Sequence, residues 1–266
     1  RGNRLGVFAM AVGGLWAVCG AARGPRLVSD LVGWLVRLWQ RYLLFIATGV
    51  GIVDLLEPGV VMALVSFTDP AGKSNLVWQG FTFNAWQNIF DVPGLQSAVA
   101  ISLGIAFAST IVATILGTLI ALALARHSFR GRSATNMFIF LPMATPEIVL
   151  GASLLTLFVA IGAPPFFPLS AITILIAHIM FNISFVVVTV RARLAGFPVH
   201  LEEAAMDLGA NELTTFRKVT FPLILPGVMA AALLAFSLSI DDFVITNFTA
   251  GGTITFPMFI YAKARI

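Results

Sequence analysis

The stretch Leu201–Gly227, LEEAAMDLGANELTTFRKVTFPLILPG, decides how the chain is read. It is the longest polar run in an otherwise apolar sequence. Its residue order predicts two short helices with a bend between them. Pro198 suits the first turn of a helix, where a backbone N–H has no intrahelical acceptor. Glu202 and Glu203 follow, and negative charge near a helix N-terminus is favoured by the aligned peptide dipoles. Ala204 and Ala205 leave a bare patch that another backbone can approach. Gly209 stands where a left-handed residue stops a helix. Asn211 is placed to cap the second helix, with Glu212 in its first turn and Arg217 and Lys218 in its last. Pro222 and Pro226 are expected to break the chain before the apolar segment that follows. A helix of small residues with charged edges, held outside a membrane, is suited to docking.

The composition supplies the membrane. Of 266 residues, 59% are hydrophobic and 11% charged, and the mean hydropathy is +0.96. Soluble domains carry about 25% charged residues, so this balance is that of a polytopic membrane protein. The single cysteine, Cys19, excludes an internal disulfide framework. The net charge of +4 fits basic cytoplasmic loops rather than a nucleic-acid partner.

Residues 5–22 form an uncharged run behind Arg1 and Arg4, about long enough to cross a bilayer. Residues 27–41 interleave Leu, Val and Trp with Arg37 and Arg41, the pattern of an amphipathic helix at the interface. Residues 1–42 are thus an N-terminal extension and 43–266 a membrane domain. Within that domain, segments near 43–66, 97–125, 135–161, 168–190 and 223–243 reach spanning length, five spans in all. Arg126, Arg130 and Arg132 mark one connection; Arg191, Arg193, Arg217 and Lys218 mark another. The 67–96 loop has Lys73 as its one basic residue, and 162–167 has no charge. Basic loops stay inside, which places 126–134 and 191–222 in the cytoplasm and the other two outside. Alternation along the chain agrees with both placements.

The polar run resembles the EAA loop of ABC-importer permeases. The residues are Glu203-Ala204-Ala205, three more, Gly209, nine more, then Val219-Thr220-Phe221-Pro222. Asp207-Leu208-Gly209-Ala210 and Phe216-Arg217-Lys218 lie beside them. The resemblance runs from about Glu57 to the C-terminus and is strongest to the second permeases of spermidine/putrescine importers. It is carried there by Trp78-Gln79-Gly80-Phe81-Thr82, Phe129-Arg130-Gly131, Pro146-Glu147-Ile148-Val149, Phe185-Val186-Val187-Val188-Thr189-Val190 and Ser239-Ile240-Asp241-Asp242. Residues 1–42 do not match.

This resemblance implies an all-α, polytopic, type I ABC-importer permease fold. That family has six core spans, of which five are expected here, the last missing beyond Tyr261-Ala262-Lys263-Ala264-Arg265. Residues 198–227 would be the coupling loop, seated in a groove of an ATP-hydrolysing subunit. Glu203, Ala204, Ala205, Asp207, Gly209 and Pro222 would be its coupling residues. The implied partners are two ATP-binding chains, a second homologous permease and an extracytoplasmic substrate-binding protein, in the bacterial cytoplasmic membrane. No cofactor or metal is implied, and ATP is hydrolysed elsewhere.

Cargo is less tightly constrained. Glu147 follows Pro142 and Pro146, which loosen a transmembrane helix where the freed backbone faces protein or a cavity. Asp241 and Asp242 end the last complete span, about 27 Å from Leu223 at 1.5 Å per residue. Successive helical residues point about 100° apart, so one acid faces the pathway and the other does not. Carboxylates there suit a polyamine. Permeases for amino acids, sulfate, thiamine or iron share the same loop, and these cargoes stay open.

Other features do not compete. Gly72-Lys73-Ser74 lacks the glycine that a phosphate loop needs at position 67, which is Phe67. Asp54 and Glu57 share a helix face at i, i+3 and interrupt the first span beside Pro58. His127, His178 and His200 have no metal-ligand spacing, and His178 reads as structural, with Asn182 one turn on as its partner. A secondary carrier would need paired broken spans, and an intramembrane enzyme a catalytic set; neither is seen.

Overall fold

A computed structural model describes residues 26–68, 78 and 80–264. The 5–22 run with Cys19, and Gly72-Lys73-Ser74, lie outside the described residues. Apart from one antiparallel bridge, Thr68 to Phe81, the regular structure described is helical. The chain divides into two compact units, one ending at Asn88 and the other starting at Ile89.

In the first unit, α1 (Arg26–Val65) runs unbroken for 40 residues. The sequence reading expected an interfacial helix and a separate span; no stop signal lies between them, so one helix carries both. Nor does the helix end at Pro58. Its Phe45–Val65 part is long and apolar enough to cross a membrane, and Asp54 and Glu57 stay within it on one exposed face, beside Ile46, Gly49, Val50 and Val53. Beyond α1, Phe67 stacks on Phe81 at 5.5 Å and on Trp86 at 5.6 Å. Trp86 belongs to the short α2 (Asn84–Gln87) and donates to Ser66 Oγ at 3.3 Å. The described part of the 67–96 loop is therefore an aromatic knot.

The second unit holds α3 (Leu95–Arg126), α4 (Arg132–Ala144), α5 (Glu147–Ile161), α6 (Ala171–Ala195), α7 (His200–Asp207), α8 (Glu212–Thr215), α9 (Phe221–Asp241), α10 (Val244–Thr249) and α11 (Phe256–Ala264). Lipid is as apolar as leucine, so membrane helices associate by close packing of small residues rather than by escape from water. That packing is visible on α3, where Ser109, Ala113, Gly117 and Ala121 recur every fourth residue and are all buried. Ala231, Ala235 and Ser239 form the matching stripe on α9. A Cβ added to Gly117 would lie 2.6 Å from Val186 Cγ1, so α3 and α6 meet there almost backbone to side chain. The opposite face of α3, Phe107, Ile111, Ile115 and Leu119, is exposed.

These contacts set the helix directions. Ser109 bonds Ser239, which bonds His178; eight residues further along both helices, Gly117 meets Val186. Hence α3 and α6 run parallel. Along α9 the order reverses, because Gly227 rather than Ser239 lies against Arg193. The chain must therefore cross once between α3 and α6, and the pair α4–α5 does so.

It does not cross as the single straight span that the sequence suggested for 135–161. The two helices are bent by 111°. Thr145 takes an extended conformation, φ −84° and ψ 133°, because Pro146 clashes with a helical residue before it. A second expectation also changes. Pro222 and Pro226 do not break the chain: Glu212–Asp241 is one candidate span of 30 residues. A π-helical turn at Phe216–Thr220 leads directly into α9, with Pro222 just after it, the kind of local irregularity that lets a helix pass a proline. Pro226 lies inside α9, and Arg193 donates to the Leu223 carbonyl at 3.1 Å in the turn it loosens.

The close approach at Gly117 sets an expectation. Gly117→Leu should lower stability by about 1–3 kcal/mol through overpacking. Gly104→Leu on the same helix, with open space around it, should not. Thermal unfolding of both variants in detergent tests this, and equal melting points would contradict the packing.

Candidate functional site

Two places on the second unit gather polar groups. The first is the connection between α6 and α9. Here α7 ends in a left-handed Gly209, φ +88°. Ala210 N donates to Ala205 O at 3.1 Å and Gly209 N to Met206 O at 2.9 Å, the paired bonds of a Schellman stop. Asn211 then caps α8, its side-chain oxygen accepting from Thr214 N at 2.8 Å. Pro198 falls just outside α7, its carbonyl accepting from Leu201 N. Glu203, Ala204 and Asp207 are exposed, with Ala205 partly covered. Leu208, beside Gly209, is 90% exposed. Pro222 is exposed in the first turn of α9.

Glu202 behaves differently from Glu203. Its Oε1 accepts from Arg126 Nη2 at 2.8 Å and from Thr220 Oγ1 at 2.6 Å. The Arg126 guanidinium also sits 4.9 Å from the centre of the Phe197 ring. Sequence reading assigned Glu202 only a helix-dipole role; its partners are 76 and 18 residues away, and no spacing rule connects them.

The second place is the C-terminal end of α9. His178 on α6 meets Ser239 Oγ through Nδ1 at 2.7 Å and Thr246 Oγ1 through Nε2 at 2.9 Å. Asp242 Oδ2 lies 3.3 Å from the same Nε2. It also accepts from Thr246 N and Thr246 Oγ1, both at 2.8 Å. Thr246 uses its hydroxyl proton on Asp242, so it accepts from Nε2, which places a ring proton there. Ser109 extends the network at 3.0 Å from Ser239. Ser239, His178 and Asp242 thus stand in the order of a nucleophilic triad, which the sequence did not suggest. Ser239 is buried and already bonded to Ser109 and His178, so no substrate carbonyl can reach it. The cluster is a latch joining α3, α6, α9 and α10. Asn182 is not the partner of His178: its amide is fully buried with no hydrogen bond among the described residues.

The neighbouring acids diverge because the helix ends between them. Asp241 closes α9, while Asp242 leaves it with ψ 119° and folds inward. Asp241 stays exposed and lines a cavity of about 680 Å³ with Phe243, Phe256 and Tyr261; the Phe243 and Tyr261 ring centres are 4.5 Å apart. Glu147 opens α5 at the elbow and is exposed, with no hydrogen bond or ion pair among the described residues.

Residues 113–264 match the family described as binding-protein-dependent transport system inner membrane component. The spermidine/putrescine transport system permease protein PotC of Haemophilus influenzae is 39% identical over 197 residues, covering 74% of each chain. PotC of Escherichia coli K12 is 38% identical over 213 residues, 80% of this chain and 78% of its own. The putrescine transport system permease protein PotI of the same organism is 36% identical over 220 residues, 81% and 78% of the two chains. Among solved structures, a bacterial ABC transporter involved in the import of the acidic polysaccharide alginate aligns with TM-score 0.61 and 20% identity, over 88% of this chain and 80% of that one. An amino acid ABC transporter aligns with TM-score 0.52 and 17% identity, over 71% and 85%. These two share the fold.

The latch gives a paired expectation. His178→Leu strands buried partners and should cost about 1–3 kcal/mol. Asn182→Leu replaces an amide that already lacks a partner and should be neutral or stabilising. Thermal unfolding in detergent distinguishes them; an equal loss from both would contradict the latch.

Proposed function

Because the chain belongs to the family of binding-protein-dependent transport system inner membrane components, we propose that it works as the permease of an ATP-driven importer whose cargo is a polyamine. It is a multi-pass protein of the inner membrane, with the fold of type I ABC-importer permeases. ATP would be hydrolysed by two partner chains, with a second homologous permease completing the pathway and an extracytoplasmic binding protein delivering cargo. The membrane domain is taken to begin near residue 43, inside α1, after an extension of 1–42.

Glu203 and Asp207 lie one turn apart on the exposed face of α7, with Leu208 beside them. Charge with an apolar knob, on a helix stopped sharply by Gly209, suits insertion into a groove of the ATPase chain. Ala204 and Ala205 let that chain approach closely.

One observation carries the cargo. Asp241 is a carboxylate on a cavity walled by Phe243, Phe256 and Tyr261. A polyamine ammonium entering an apolar pathway loses water and needs carboxylates or aromatic faces in its place. Asp242, held by His178 and Thr246, is the structural neighbour. Spermidine and putrescine in the names of the relatives point the same way. Glu147 at the elbow is a further candidate on the path.

For coupling, Glu203→Lys or Asp207→Lys should reduce co-purification of the ATPase chain. Gly209→Val, which forces a β-branched residue to φ +88°, should abolish uptake with membrane insertion intact. Full co-purification with both reversals would count against the docking face.

For cargo, Asp241→Asn should cut spermidine or putrescine uptake by about tenfold, the effect of roughly 1.4 kcal/mol, without lowering the melting point. Asp242→Asn should lower the melting point. Unchanged uptake in Asp241→Asn and in Glu147→Gln would remove the cation pathway and favour an amino acid, thiamine, iron or anion as cargo.

A further inference from the structure

No residue of α7 is buried, so apolar packing does not fix this helix to the spans. A polar junction does. Glu202, in its first turn, accepts through a single oxygen from Arg126, the last residue of α3, and from Thr220, the residue before α9. Arg126 also covers Phe197 in the lead-in to α7, so it holds the helix on both sides of its start. We propose that Arg126, Glu202 and Thr220 form the link through which a displacement of α7 is passed to α3 and α9. The proposal rests on α7 being the docking helix of an importer permease.

Three features favour a transmitting role over a surface ion pair. The Arg126 and Glu202 side chains are only 25% and 15% exposed, and a partly dry, charge-assisted bond is stronger than a solvated one. Thr220 is buried, so the far end of the link is anchored in the core of the unit. The division of labour on α7 is also clear: Glu203 and Asp207 point to solvent, whereas Glu202 points to the chain's own spans. Arg126, Glu202 and Thr220 line a cavity of about 500 Å³, where His127 and Glu212 are the other charged or titratable groups among the described residues. Glu202 is thus a positioning residue, distinct from the docking contacts.

The test uses the complete transporter with all its subunits, reconstituted in proteoliposomes, with ATP hydrolysis and polyamine uptake measured together. In Glu202→Gln and Arg126→Gln, the ATPase chain should remain bound. The ATP consumed per cargo molecule should rise at least about fivefold, the low end of ordinary coupling between sites. Thr220→Val should act in the same direction, and Thr220→Ser should keep the wild-type ratio. The charge exchange Arg126→Glu with Glu202→Arg should bring the ratio back toward wild type. Hydrolysis and uptake falling in proportion would overturn the proposal, as would loss of the ATPase chain or an exchange no better than the single variants. Glu203→Lys and Asp207→Lys in the same assay report on the docking reading alone: if both leave the ATPase chain bound, that reading fails while the Glu202 ratio is measured independently.

Discussion

The approach of α3 to α6 at Gly117 is the contact on which the second unit depends. A bilayer gives apolar side chains no reason to leave lipid for protein, so association of α3, α6 and α9 has to come from contact area at short range. Gly117 lets Val186 into the space where a Cβ would stand. The buried Ala113 and Ala121 on either side, with Ala231 and Ala235 on α9, extend that approach. The same contact fixes the axial register of the helices. With that register, Ser109, His178 and Ser239 meet at one level, and Arg193 reaches Leu223 at another. The polar pairs follow from the packing of small residues, since a slip of one turn along any of the three helices would separate them.

Polar groups within this register divide into those that hold the helices and those that stay available. The Asp242 carboxylate accepts from Thr246 N, Thr246 Oγ1 and Ile245 N and lies 3.3 Å from His178 Nε2. Asp241, one residue earlier, remains on a cavity with aromatic walls. Glu202 and Glu203 repeat the same division at the inner side, one turned to Arg126 and Thr220, the other to solvent. In both pairs adjacent acids have opposite fates, and in both the difference arises at a helix terminus. Composition alone treats the members of each pair as equivalent.

Local signals were legible in the sequence, and distant ones were not. Gly209 as a helix stop and Asn211 as a cap depend on bonds reaching three to five residues, and those are the bonds found. The spans depend on composition, and among the described residues four stand as apolar helices of spanning length and the fifth as the bent pair α4–α5. The elbow before Pro146 was half legible: the prolines marked the weak point, but the 111° bend is set by how α5 packs, with Gly151 admitting Phe248 of α10. The π-helical turn at Phe216–Thr220 was not legible, because prolines at 222 and 226 signal a break as readily as a bulge. His178 was read correctly as structural but given Asn182, its neighbour along the helix, instead of Ser239, Thr246 and Asp242, which lie 61 to 68 residues on for the two hydroxyls. Side-chain partners across helices depend on register, and register is a property of the assembled core.

The continuity of the segment from Glu212 to Asp241 has a mechanical consequence. Thirty residues at 1.5 Å each give about 45 Å, more than the roughly 30 Å hydrocarbon core of a bilayer. One helical element therefore carries Thr220, bonded to Glu202, near its inner end and Asp241, on the aromatic cavity, at its outer end. A break at Pro222 and Pro226 would have isolated the two ends. The π-helical turn instead keeps the backbone path intact, and Arg193 braces the loosened turn from α6. Displacement of the inner end must then reach the outer end as tilt, rotation or axial shift of α9. The latch of His178, Ser239 and Asp242 is the point against which such motion acts, because it ties the outer end of α9 to α6. The proposed docking helix α7 and Asp241 are thus linked through one helical element, held by Glu202 at Thr220, by Arg193 at Leu223 and by His178 at Ser239.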